Sequence, residues 1–392
     1  MNYFESNPHT TILHKHPYRI CVRCIMDTSD PEILFDEQGV CNHCKRYPDH
    51  IASLGSAADR ARKLDALVQT LKQAGRGKDY DCIMGLSGGV DSSYLAHFAV
   101  RDLGLRPLVV HVDSGWNSEL AVSNIESICK GLNIDLHTLV IDWDEMRDLQ
   151  LAYFRAGVAN LDVPQDHAFN AAMVGEAKKY GIRHVLNGGN MQTESILPNA
   201  WGYDASDPAS LKGIHKAYGR IKLKSYPVRS DFARLITDPY IYGMMIHRPL
   251  EYLDYNKFEA KKLLMEELGW RDYGGKHYES RFTKFFQAHY LPEKFGYDKR
   301  KAHLASLVAS GQMERDAALA EMQAPLYDPA DLKEDIAYFC KKLGISLSEY
   351  EQVMGQQPKT YRDYPNRAAA YNRFRKLMRR LNRVRKILGR AG

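Results

Sequence analysis

No run of 18 or more apolar residues occurs in the 392-residue chain, so no membrane-spanning helix is expected. The opening MNYFESNPHTTILHKH lacks the apolar centre of a secretory leader, which makes the cytoplasm the expected compartment. Seven cysteines in such a chain point to metal or free thiols rather than disulfides. None stands in a nucleophile-elbow context and residue 2 is Asn2, so the chain offers no glutaminase nucleophile of its own. Acid is missing from the far end: from Arg367 onward there are ten Lys or Arg and no Asp or Glu. The formal net charge of +6 therefore arises in the tail, and the body before it is net negative. A polycationic body is excluded. The tail alone, a basic amphipathic stretch with Phe374, Leu377, Leu381, Val384 and Leu388 on one stripe, offers a contact for anionic membrane or nucleic acid. An ordinary docked helix reads the same way.

What the chain does have is Tyr80 to Leu95, YDCIMGLSGGVDSSYL. An apolar run, Cys82 to Leu86, meets a Ser-Gly-Gly turn, and an apolar-periodic segment follows, which reads strand, loop, helix. Gly88 and Gly89 can take backbone angles closed to other residues, so that consecutive N–H groups face inward as an anion nest. The hydroxyls of Ser87, Ser92 and Ser93 add donors, and the new helix turns its positive end toward a phosphate. The loop lacks the lysine that a Walker sequence requires. SGGVDSS instead resembles the PP-loop signature S-G-G-x-D-S of the ATP pyrophosphatases, which cleave ATP between its α and β phosphates. Asp91 as a plain helix cap would explain one residue but not the cluster.

Near the N-terminus, Cys21-Val-Arg-Cys24 and Cys41-Asn-His-Cys44 form two C-x2-C pairs separated by sixteen residues. Two such knuckles fold over one tetrahedral ion, and a four-thiolate site has no open position, so Cys21, Cys24, Cys41 and Cys44 are expected to hold a structural Zn2+. His43 is read as an outer or surface histidine, with replacement of a cysteine as ligand the alternative.

After the loop, strands and helices alternate. Arg106–Asp113, Asp135–Ile141 and Arg183–Asn187 read as strands, between helices near 118–131, 143–156 and 167–180. The expected fold is α/β, a doubly wound parallel sheet, with an N-terminal zinc ribbon and a helical C-terminal domain. In such sheets ligands sit beyond the carboxyl ends of the strands, where strand order reverses. Three polar turns are expected to converge there: Ser87 to Ser93, Asp113 to Asn117, and Asn187 to Glu194. Asp113 would meet ribose, adenine or magnesium, or else cap a helix; Asn190 and Glu194 are read with the same two alternatives. Beyond about residue 225 the sheet pattern fades into helices, which would supply a lysine or arginine for the leaving pyrophosphate, from among Lys284, Lys294, Lys299 and Arg300. The expected divisions are a zinc-ribbon-like segment 1–50, a connector helix 51–78, the loop domain 79–225, a helical domain 226–366 and the tail 367–392.

The chain resembles, over nearly its whole length, the N-acetyl sugar amidotransferase family of bacterial O-antigen and nonulosonic acid biosynthesis. The resemblance rests on CVRCIMDTSDPEILFDEQGVCNHC, MGLSGGVDSSYLAH, HVDSGWNSELAVSNI, LNGGNMQTES and KFGYDKRKAHLASLVASGQMERDAAL. It implies ATP and Mg2+ as reagents and a nucleotide-activated amino sugar as substrate, whose acyl or acetamido oxygen is adenylylated and then replaced by ammonia. Ser87, Gly88, Gly89, Ser92 and Ser93 would hold the β and γ phosphates and Asp91 would order the loop or assist magnesium. Asp113 and Glu194 complete the expected catalytic set, and Asn190 and Lys294 the expected nucleotide contacts. The family also implies a separate glutaminase with its cyclase-like companion as the ammonia source. The competing reading is tRNA thiolation, which joins the same loop to zinc knuckles. It asks for extra cysteines near the reacting base, and outside the knuckles only Cys82, Cys129 and Cys340 remain.

Overall fold

The apolar run after Asp81 forms β1 (Cys82–Gly85), and the sheet is assembled around it. In this computed structural model, which describes residues 17–274, 279–374 and 376, β2 (Pro107–Asp113), β3 (Leu136–Val140), β4 (His184–Leu186) and β5 (Met245–His247) join it in the order β3-β2-β1-β4-β5. All four pairings are parallel. Cys82, Ile83 and Met84 are wholly buried, because both faces of a central parallel strand are covered. Ile83, Leu108 and Val110 pack on Met173 and Ala177 of the helix Val163–Lys179. Met84 and Val109 face the other way, onto Leu95, Ile125 and Leu264. This is the doubly wound arrangement, and the strand order reverses between β1 and β4.

Two expectations shift. The division near residue 225 falls inside the sheet domain, since β5 pairs with β4 and the helix Lys257–Leu268 contributes Leu264 and Leu268 to the core beside β1. Three residues of mixed polarity were too short a run to register as a strand. The expected connector helix is two helices, Asn42–Leu54 and Ala57–Ala74, parted at Gly55 and restarted by a capping box of Ser56 and Asp59. The C-terminal helices gather around stacked rings, with Phe285 and Phe339 centroids 4.5 Å apart, and the cysteine segment shares their core. The basic stripe beyond residue 376 lies outside the described residues. Among the described residues no helix is long and apolar enough to cross a membrane.

The edge of the sheet carries a paired imidazole, His184 Nδ1 and His247 Nε2 being 3.0 Å apart. Burial lowers both below the ordinary 6.5, and for His247 the neighbouring ring adds to the effect. A histidine buried neutral binds fewer protons than it does unfolded. The stability it contributes is complete above about pH 6.5 and is lost as pH falls through the lower folded value. Urea midpoints are expected to drop as pH falls below about 6.5 in the wild type and to drop less in His247→Gln; an equal drop in both would refute the assignment.

Candidate active site

Ser87 to Ser93 leaves the end of β1 and enters the helix Val90–His97, with Gly88 at φ +84°. The carbonyl of Gly88 accepts hydrogen bonds from Trp270 Nε1 at 2.7 Å and from the Tyr273 hydroxyl at 3.0 Å. In a trans peptide the next N–H points the opposite way, so these two donors hold the Gly89 N–H toward the inside of the loop. There it meets Ser87 Oγ at 3.2 Å, while the Ser87 N–H meets Ser92 Oγ at 3.4 Å. Both are long bonds that a phosphate oxygen can displace. Asp91 follows in the first turn, its Oδ1 accepting from the Tyr255 hydroxyl at 2.7 Å. Burial, then the Asp91 charge, raises the Tyr255 phenol well above its usual range, so it stays a donor.

The turn after β4 is pressed against this helix. A Cβ on Gly188 would lie 3.1 Å from the Asp91 carbonyl oxygen, so a larger residue would need the two turns to part by a few tenths of an ångström. Asn190 caps the short helix Met191–Glu194, accepting from the Thr193 N–H at 2.9 Å and donating to the Gly188 carbonyl at 3.2 Å. The two turns open on one cavity of about 1340 Å3. Ser87, Gly89, Asp91, Ser92, Gly188 and Glu194 line it at the switch point. An apolar side is made by Gly85, Phe169, Met173, Val185, Met244 and Ile246. Basic side chains stand around the rest: Arg248, Lys257 and Lys261 near the loop helix, and Lys299 and Arg300, with His303 beside them, from the helix Lys299–Ala309. Several are held by carboxylates, as Arg300 is by Asp298 at 2.7 Å.

Other expected residues lie elsewhere. Ser93 is wholly buried and does not line the cavity, because the first helical turn rotates it inward. Asp113 orders its own turn, Oδ1 accepting from the Gly115 N–H at 2.7 Å and from Asn117 at 3.2 Å. That turn does not reach the cavity, so two of the three polar turns converge. It acts through Ser118, whose N–H binds the Glu279 carbonyl at 3.0 Å, and Glu279 does line the cavity. Lys284 also stays outside, 3.7 Å from Asp331.

Lys294 is corrected outright as a pyrophosphate contact. It is 1% exposed, and its ammonium donates to the carbonyls of Val353 at 2.7 Å, Met354 at 3.3 Å and Gln356 at 2.7 Å, closing the end of the helix Leu347–Gly355. Burial pulls its pKa down to about 8, which leaves it protonated at pH 7. Lys294→Met removes the donor from buried carbonyls and is expected to lower unfolding free energy by about 2–4 kcal/mol in denaturant titrations, with nucleotide affinity unchanged. A change in affinity with stability intact would restore it to the site.

Sequence reasoning missed Trp270, Tyr273, Tyr255 and Glu279. The run Gly269-Trp-Arg-Asp-Tyr-Gly274, two aromatics in a glycine-bounded turn between helices, was the available signal.

The four knuckle sulfurs are buried and lie within 4.8 Å of one another. Cys21 Sγ to Cys44 Sγ is 3.8 Å and Cys24 Sγ to Cys41 Sγ is 3.7 Å. A tetrahedron with Zn–S bonds of about 2.3 Å has edges of about 3.8 Å, so the sulfurs fit zinc. Backbone N–H groups of Arg23, Cys24 and Cys41 approach Cys21 Sγ at 3.3–3.4 Å, as suits a thiolate. His43 is not a ligand; its Nε2 pairs with Asp30 at 2.7 Å.

The chain is 25% identical over 130 residues to the uncharacterized protein MJ1599 of Methanocaldococcus jannaschii, an alignment spanning 32% of this chain and 44% of that relative's length. Two solved structures are similar in part. The NH3-dependent NAD synthetase of Campylobacter jejuni, in complex with nitrate, has 14% identity and a TM-score of 0.32 over 76% of this chain and 98% of its own. The NMN synthetase of Francisella tularensis has 16% identity and a TM-score of 0.28 over 54% and 96%. Residues 279–378, which begin with the glutamate facing the loop and include the helix Lys299–Ala309, match the family described as LPS biosynthesis protein WbpG-like, C-terminal domain.

Proposed function

We propose that this protein is an ATP-dependent, AMP- and pyrophosphate-forming amidotransferase acting on a nucleotide-activated amino sugar. The observation that carries the reading is the pair of turns at the switch point, an anion cradle opening on a cavity much larger than one nucleotide needs. The Ser87 and Gly89 N–H groups, the Ser87 and Ser92 hydroxyls and the helix end take the β and γ phosphates. The apolar side at Phe169 and Met173 suits the adenine, and Asp91 and Glu194 would hold Mg2+, which neutralises phosphate charge. An acyl or acetamido oxygen of the second substrate attacks the α phosphorus, and the bond to pyrophosphate breaks. Ammonia then adds at the carbonyl carbon, the C–O bond to AMP breaks, and a proton is released. Positioning and charge stabilisation carry the rate, and no side-chain nucleophile is required.

The WbpG-like match over residues 279–378 supports a substrate of lipopolysaccharide biosynthesis. Ammonia is assigned to a separate glutaminase with a cyclase-like companion, since none of the seven cysteines lines the cavity. The same fact weighs against sulfur transfer: burial raises Cys82 and Cys340, and pushes Cys129 up to about 11. The test is AMP and pyrophosphate release from ATP and ammonium with UDP- and CMP-linked acetamido sugars, against bulk tRNA. Sugar-dependent AMP, with a product bearing NH in place of O, is the expected result. AMP formed only with tRNA would overturn the reading.

A further inference from the structure

We propose that the four-cysteine unit is a strut for one wall of the cavity, and that Lys301 and Arg315 are the positioning residues that carry its placement there. The segment Cys21–Cys44 packs Cys21, Cys24, Ile25 and Met26 into the same buried cluster as the C-terminal helices, and directional polar contacts join it to the body. The Lys301 ammonium pairs with Asp27, both nearly wholly buried. Arg315 donates through Nε to the Cys24 carbonyl and through Nη2 to the Cys21 carbonyl, each at 3.1 Å. Trp201 Nε1 donates to the Ser29 carbonyl at 3.3 Å.

Lys301 lies on the helix Lys299–Ala309, whose other side supplies Lys299, Arg300 and His303 to the cavity. The same helix is tied to the phosphate end of the site. Ser306 Oγ accepts from the Ile196 N–H at 3.0 Å, and Ser310 donates to the Gln192 carbonyl at 2.8 Å, both beside the turn after β4. Just beyond it, Gln312 accepts from the Lys257 N–H at 3.0 Å and donates to the Tyr255 carbonyl at 2.9 Å, and Tyr255 holds Asp91. The Cys21 and Cys24 carbonyls that receive Arg315 belong to two of the residues whose sulfurs fit zinc. A zinc ion held by these sulfurs would set their position, and a buried ion pair couples any displacement of Asp27 directly to the helix. The proposed function enters only in assigning an anion to this wall.

The test is hydrogen exchange of the full-length protein, with zinc stripped by a chelator and then restored. Amides of 299–309 are expected to exchange about tenfold faster without zinc, while those of β1 and β2 are unchanged, and zinc restores protection. Arg315→Met, with zinc content retained, is expected to show an intermediate increase; Lys301→Met serves as the second variant. Under the proposed reaction, Arg315→Met raises KM severalfold for the substrate whose anion this wall receives, with kcat unchanged. Equal protection of 299–309 with and without zinc overturns the inference, as does loss of protection in β1 and β2 together with it. Inorganic pyrophosphate titration separates the two readings. Faster exchange at 299–309 in a protein whose zinc form binds no pyrophosphate upholds the strut and removes the nucleotide reading.

Discussion

Asp91→Ala is expected to reduce AMP formation by about 10²–10³-fold while the fold and the zinc content stay intact, as for loss of one preorganised charge-stabilising group. Asp91 lines the cavity one residue from Ser92, and its carboxylate is aimed by a buried phenol rather than left to solvent. Ser87→Ala removes a hydroxyl that already meets the Gly89 N–H, and its expected loss is smaller, about tenfold. Tyr255→Phe supplies the control: it deletes only the donor to Asp91, so its loss should lie below that of Asp91→Ala and be shared by magnesium affinity. AMP release from ATP, ammonium and the acceptor sugar measures all three. Near-normal turnover in Asp91→Ala, with wild-type stability, would remove the loop from the mechanism.

The second large effect concerns zinc. Cys24→Ser is expected to lose stoichiometric zinc and, with it, the folding free energy that the metal supplies, on the order of 10 kcal/mol in small zinc-dependent units. The effect should reach past the knuckles, since Cys21, Cys24, Ile25 and Met26 belong to the same buried cluster as Phe285 and Phe339. Metal analysis together with urea unfolding monitors it. The wild type should bind one zinc ion per chain and show, on chelation, an earlier urea transition for the knuckles and the C-terminal helices packed on them, with the transition of the sheet unchanged. A wild-type protein that carries no zinc and resists chelator at full stability would exclude the four sulfurs as a metal site.

Much of this architecture was legible in the chain because it is local. The apolar run, the glycine pair and the serines lie within sixteen residues, and the helix expected at 143–156 forms over Trp143–Ala156. The knuckle spacing is equally local. What escaped is set by partners distant in sequence. Trp270 and Gly88 are 182 residues apart, and nothing near either one states that an indole fixes the peptide of a phosphate loop. Lys294 failed for a related reason. A lysine in the polar run Lys294-Phe-Gly-Tyr-Asp reads as a surface cation, and only the packed helices reveal that it faces three carbonyls. Ser93 was misplaced by one helical step: adjacent hydroxyls on a helix cannot both face a ligand, and Ser92 takes the cavity side.

The indole and phenol on the Gly88 carbonyl also bear on whether the motif is portable. Seven residues, SGGVDSS, carry the amides and hydroxyls, but the direction in which the Gly89 amide points is imposed from Trp270 and Tyr273. A graft of the heptapeptide onto another parallel sheet would reproduce the composition of the cradle without its orientation. A transplant that works must bring a second, separate piece of chain, the aromatic turn 269–274, in register with the first.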